Sequence, residues 1–152
     1  KSKKDLVRVE YFNLGELYYS NGQMGKAAEA YRISYCFSVS TDDIVKVSIK
    51  LGIVSIYNQN YSFGLKFVKE AVFKNLESPK NAETTNMLNT IHALLQLGNA
   101  KLNDVASCLW ESPICSVEEM SILTTEKDLA FYAVMAGLMT YSRKKFKDDY
   151  YS

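Results

Sequence analysis

Gly15 and Gly52 stand 37 residues apart in a chain of 152, each inside a stretch whose apolar residues recur at helical spacing. A glycine inside a helix is destabilising by roughly 0.5–1 kcal/mol relative to alanine. Its return at a fixed interval therefore marks a place where a second helix must come very close. Around Gly15, the residues Val7, Tyr11, Leu14 and Tyr18 fall at i, i+4, i+7 and i+11, one face of a helix. The dipeptide Asn21-Gly22 ends that helix. Ala27, Tyr31 and Ser34 then share a face on a second one. The segment reads as a helical hairpin whose smallest residues lie where its two helices touch.

The design returns 37 residues on, where Gly15 maps to Gly52, Ala27 to Gly64, Tyr31 to Val68 and Ser34 to Ala71. Asn58-Gln59-Asn60 supplies the turn, and Ser40 with Asp43 a capping-box pattern at the start. A third copy follows Pro79. Its first helix, AETTNMLNTIHALLQL, is turned by Gly98-Asn99 into LNDVASCLWES, with Ala93 in the small position and Val105, Leu109 and Ser112 on the second helix. The offset there widens to 41, and Pro113 closes the unit. Thr125 and Asp128 form another capping-box pattern ahead of a long apolar helix over 126–142, which carries small residues at Ala130, Ala133, Ala136 and Gly137.

Helix–turn–helix units near 34 residues are the tetratricopeptide signature. Tyr11, Leu14, Gly15, Tyr18, Ala27 and Tyr31 match its spacing, with tyrosine in place of the usual tryptophan. The expected fold is all-α: a right-handed tetratricopeptide-like solenoid of about seven helices in one domain, with repeats at about 5–38, 41–75 and 82–112. Repeat packing is assigned to those six residues and to Gly52, Gly64, Val68 and Ala71.

Composition narrows the function classes. With 47% hydrophobic and 23% charged residues the balance is globular, and no apolar run approaches the length of a membrane span. A net charge of +1 argues against a nucleic-acid binder. The basic run Arg143-Lys144-Lys145-Phe146-Lys147 reads as a solvated helix end. Three cysteines, Cys36, Cys108 and Cys115, form no C-x-x-C pair and suit reduced, mostly buried thiols. A single histidine, His92, cannot supply a two-histidine zinc site. It would have to be the base of any cysteine or serine triad, yet it sits within the apolar helix NTIHALLQL. No enzyme, metal or cofactor is expected. The opening Lys1-Ser2-Lys3-Lys4, without methionine, reads as the edge of a piece cut from a longer protein.

The succession LGELYYSNGQMGKAAEAYRISYCFS, VSIYNQNYSFGLKFVKEA and DLAFYAVMAGLMTYSR resembles the N-terminal helical-repeat region of one subunit family. That family comprises subunit 1 of the COP-nine signalosome and its paralogue in the 26S proteasome lid. A helix following the repeats in that family is matched by Asp128, Ala130, Tyr132, Leu138 and Arg143, with Gly137 where alanine is common. The stretch IYNQNYSFGLKFVKEA is more similar to the signalosome member. The resemblance implies a non-catalytic scaffold subunit of the nucleus and cytoplasm, which lacks here the winged-helix part that completes such subunits. Its implied partners are other subunits and cullin ligase components, in a complex whose zinc protease, a different chain, removes a ubiquitin-like modifier from cullins.

Trp110, Leu129, Leu138, Tyr150 and Tyr151 are candidate partner contacts, although Trp110 suits core packing as well. The helix over 126–142 is apolar most of the way round, so one side should face outward and support weak self-association. Another class of function is a free-standing adaptor gripping a peptide carboxylate. Its binding positions would fall on Phe12, Glu16, Ile49 and Ile53, whose apolar and acidic side chains argue against it.

Overall fold

The computed structural model describes residues 3–77, 82–110, 121 and 123–142. Among them are seven helices and no strand: α1 (Lys3–Ser20), α2 (Met24–Cys36), α3 (Thr41–Tyr57), α4 (Tyr61–Glu77), α5 (Ala82–Gly98), α6 (Leu102–Trp110) and α7 (Glu126–Thr140). The helices pair as the hairpins α1–α2, α3–α4 and α5–α6. Each hairpin packs on the next, α3 touches α5 directly, and α7 lies on α6. The fold is an all-α helical-repeat solenoid.

The three hairpin turns share one geometry. Gly22, Gln59 and Ala100 adopt the left-handed conformation with φ of 72°, 54° and 56°. In each turn the next residue's N–H bonds back five residues, Gln23 to Tyr18, Asn60 to Ser55 and Lys101 to Gln96. This is the Schellman arrangement that satisfies the last carbonyls of a helix. The left-handed positions are separated by the same 37 and 41 residues as the sequence repeats. The third turn thus falls at Gly98-Asn99 as expected, with its left-handed residue at Ala100. Gly98 ends α5, and a Cβ there would lie 2.5 Å from the Tyr61 ring of α4.

The wider third offset has an equally local cause. The helix α4 is 17 residues long against 13 for its counterpart α2, and the four extra residues are about one helical turn. That turn carries α4 past the point where α2 stops.

Caps follow the expected signals. Thr125 accepts from the Asp128 N–H, and the Asp128 carboxylate accepts from the Thr125 N–H at 3.0 Å. The Thr125 hydroxyl also donates to that carboxylate at 2.7 Å, and this bond first, then the backbone one, holds the Asp128 carboxyl below its usual range. Ser40 likewise accepts from the Asp43 N–H, while the Asp43 carboxylate turns to Arg8 of α1 at 2.6 Å and so ties hairpin to hairpin.

Three apolar clusters run along the stack. The first joins Ala27 and Tyr31 to Val47, Leu51 and Val54. The second gathers α3, α4 and α5 around Ile53, Val68, Ala71, Leu88 and Ile91. The third holds Ala93, Val105 and Leu109 against Leu129, Ala133 and Ala136 of α7.

Candidate interaction surfaces of the helical stack

The glycines mark the tightest points inside the stack. A Cβ on Gly15 would lie 2.5 Å from Cδ1 of Tyr31, and one on Gly52 would lie 2.9 Å from Val68 and clash with Ile91 of the next hairpin. On Gly64 it would meet Ser55 at 2.6 Å and Leu95 at 3.1 Å. Ala27, Tyr31, Val68 and Ala71 are fully buried. Tyr11, Leu14 and Tyr18 are half-buried, and Tyr18 packs against the first cluster.

A polar network links the first two hairpins. The Tyr31 hydroxyl donates to Glu16 at 2.6 Å, and Lys50 of α3 approaches the same carboxylate at 3.5 Å. Burial, reinforced by the Glu16 carboxylate, pushes the Tyr31 hydroxyl far above its usual range, so it remains a donor. Phe12 packs against Tyr31 with centroids 5.6 Å apart, while Ile49 and Ile53 are buried. The four positions of a carboxylate-gripping adaptor thus belong to the core or to an internal ion pair.

The residues proposed for outside contact divide. Leu138 is 61% exposed, whereas Leu129 is 3% exposed and packs inside the third cluster, which corrects its assignment as a partner contact. Trp110 is also engaged within the chain: its indole N–H donates to the Ala133 carbonyl at 3.0 Å, and its ring faces Tyr141. Tyr150, Tyr151, Cys115 and the basic run at 143–147 lie outside the described residues. Cys36 is exposed, contrary to the expectation of mostly buried thiols, and Cys108 is half-buried.

On α7 the small and large residues separate. Leu129, Ala133, Ala136 and Gly137 face inward and allow close approach to α6. Phe131, Val134, Met135, Leu138 and Met139 form an exposed apolar face on the other side. Contiguous apolar surface of this kind marks an interaction site.

Sequence reasoning did not foresee a polar cluster between α5 and α6. His92 Nδ1 lies 3.2 Å from the Cys108 sulfur, and the Gln96 side-chain amide donates to Asp104 at 2.8 Å. Burial, with Lys69 nearby, holds the His92 imidazole below its usual range against a weaker opposing pull from Asp104. The His92–Cys108 and Gln96–Asp104 contacts both run between α5 and α6. His92 and Cys108 lie 16 apart on different helices, so spacing alone gave no signal. Among the described residues no group of histidine, cysteine and carboxylate side chains could hold a metal ion, and no helix is long and apolar enough to cross a membrane.

The stack thus presents packed hairpin ridges, a polar network between its first two hairpins and one apolar helix face. The family model described as 26S proteasome subunit RPN7 matches residues 1–149, nearly the whole of this sequence. The chain belongs to the 26S proteasome subunit RPN7 family.

Proposed function

We propose that this chain is a non-catalytic scaffold element of a multi-subunit complex of the proteasome-lid type. The observation that carries this reading is the family match over residues 1–149. It is supported by the outward apolar face of α7, a surface suited to a further packed element. Stacked repeats bury their faces on their neighbours, and the large apolar residues of α7 extend that logic outward. We read the face as the seat of one more helix of the same subunit.

Two assemblies use subunits of this kind. The family description names the proteasome, which supports a place in the lid. The stretch from Ile56 to Ala71 resembles the signalosome member more closely, and that likeness supports a place in the deneddylating complex, with cullin ligase components among the partners and the nucleus and cytoplasm as its compartments.

Affinity purification of the protein as it occurs in the cell, with mass spectrometry of what accompanies it, tests both levels. Stoichiometric recovery with proteasomal regulatory-particle subunits would place it in the lid, and recovery with a cullin deneddylase would place it in the signalosome. Recovery as a free protein would refute the scaffold reading. So would cleavage of a modified cullin by this chain alone, if His92→Ala abolished it.

A further inference from the structure

The outward face of α4 is divided between charge and apolar surface. Ser62, Lys66, Lys69, Phe73 and Leu76 follow one another at helical spacing and form a single stripe. At the Ser62 end, Lys66 and Lys69 join Lys101 and Asn99 of the α5–α6 turn around a surface concavity of about 300 Å³. A hydrogen bond from Ser62 to Asn99 at 2.9 Å holds the turn against α4. At the other end Phe73 is 62% and Leu76 70% exposed, and Leu76 lies on the turn by which α4 outruns α2.

Among the described residues, the concavity is lined by three lysines and no carboxylate. None of the ion pairs between described residues involves Lys66, Lys69 or Lys101. Glu70 pairs with Lys74 and accepts from the Tyr35 hydroxyl, while Asp104, outside the lining, accepts from Gln96 and remains one carboxylate against three lysines. Three like charges around one concavity repel each other and favour an acidic occupant.

We propose that this stripe docks an acidic segment of a neighbouring protein, with carboxylates over Lys66, Lys69 and Lys101 and a large apolar side chain against Phe73 and Leu76. The two ends are about 15 Å apart along α4, from the helical rise over ten residues, so the segment needs its acidic and apolar groups some three helical turns apart. Charge complementarity sets partner choice and encounter rate, and the apolar end adds contact area. A nucleic acid would use the lysines but leave Phe73 and Leu76 uncovered, which favours a protein.

The inference rests on the scaffold reading, and the test separates the two. The purified complex and the dissociated subunit are each labelled with acetic anhydride, and modification is quantified at each lysine. The expected result is at least a five-fold protection of Lys66, Lys69 and Lys101 in the complex. Protection should persist after nuclease treatment and weaken as salt is raised. Equal labelling in the two samples overturns the docking site while leaving the scaffold reading intact, and so does protection that nuclease removes. A second measurement uses the surface variant Lys66→Glu/Lys69→Glu/Lys101→Glu, checked for unchanged helicity. Its retention in the complex at moderate salt should fall at least ten-fold, and Phe73→Ser/Leu76→Ser should reduce it independently. Retention of the triple variant at the wild-type level overturns the proposal.

Discussion

Replacing Gly15 by alanine tests whether close packing explains the repeated glycine. The new Cβ would stand 2.5 Å from Cδ1 of Tyr31, where ordinary carbon–carbon contact needs about 3.5–4.0 Å. The ring must retreat by about 1 Å. It cannot do so freely, because Tyr31 is fully buried, its hydroxyl is bonded to Glu16 and Phe12 packs against it. Overpacking of this kind costs roughly 1–3 kcal/mol, while alanine regains up to about 1 kcal/mol of helix propensity. The expected net loss is therefore about 1 kcal/mol, read as a lower urea midpoint at unchanged m-value. In a Tyr31→Ala background the obstacle is gone and the same substitution should stabilise by up to about 1 kcal/mol, a coupling of roughly 2 kcal/mol in the double-mutant cycle. Gly25 is the internal control, since nothing lies within 4 Å of a Cβ there, and Gly25→Ala should be neutral or stabilising. If Gly15→Ala stabilised the wild-type chain as Gly25→Ala does, the packing account of the glycine would be wrong.

Three further outcomes are expected. Gln59→Gly and Ala100→Gly should each raise stability by roughly 0.5–1 kcal/mol in urea unfolding, because both residues hold a left-handed backbone that glycine adopts without strain; a loss at either site would contradict the turn assignment. The His92 pKa is depressed by burial and by Lys69, so the unfolded chain takes up its proton first. Stability is then full above pH of about 6.5, the ordinary histidine value, and is lost as pH falls from there through the folded-state pKa; His92→Asn should flatten that part of the stability–pH curve, and an unchanged slope would remove His92 as its source. Sedimentation over a range of concentrations should show reversible self-association of this chain that Leu138→Glu suppresses, with little change in helicity because Leu138 is exposed; a wild-type chain monomeric throughout would show that the α7 face is not adhesive.

The hairpins were legible because close packing leaves a mark that survives sequence drift. Only glycine fits beneath Tyr31, or between Val68 and Ile91, so Gly15 and Gly52 announce the contact whatever surrounds them. The turns were legible only in part. The Gly98-Asn99 dipeptide located the third turn, which follows directly on the end of α5, but not its left-handed residue, Ala100; glycine is required at 98 by the Tyr61 ring. Repeat phase, counted from Gly22, would have located Ala100. The inward side of α7 could not be chosen from periodicity, because the helix is apolar nearly all round. Its small residues decided the matter by packing tightly, and Leu129 went inward with them. The basic stripe of α4 was hidden for another reason: Lys101 comes from a different hairpin and joins Lys66 and Lys69 only when the helices stack.

The two junctions between hairpins also show how one geometry accepts opposite chemistry. Counting by the repeat offsets, Glu16, Tyr31 and Lys50 of the first junction occupy the places of Ile53, Val68 and Ile91 in the second. The first set is a hydrogen-bonded ion-pair network closing over Gly15, and the second is an apolar plug closing over Gly52. The notch beneath the glycine is filled in both, by one tyrosine ring in the first and by a valine plus an isoleucine in the second. A partly exposed ion pair contributes only about 0–1 kcal/mol, while burying a branched aliphatic side chain contributes roughly 1.5–3 kcal/mol. The first junction makes up the difference with the buried Tyr31 ring and the apolar cluster around Val47, Leu51 and Val54, so both junctions hold by burial. On α7 the inner face is packed and the outer face is apolar and exposed. An exposed apolar face on the last described helix is suited to hold a further packed element, which is why we assign the α7 face to structural continuation. The charged stripe of α4 is assigned instead to recognition.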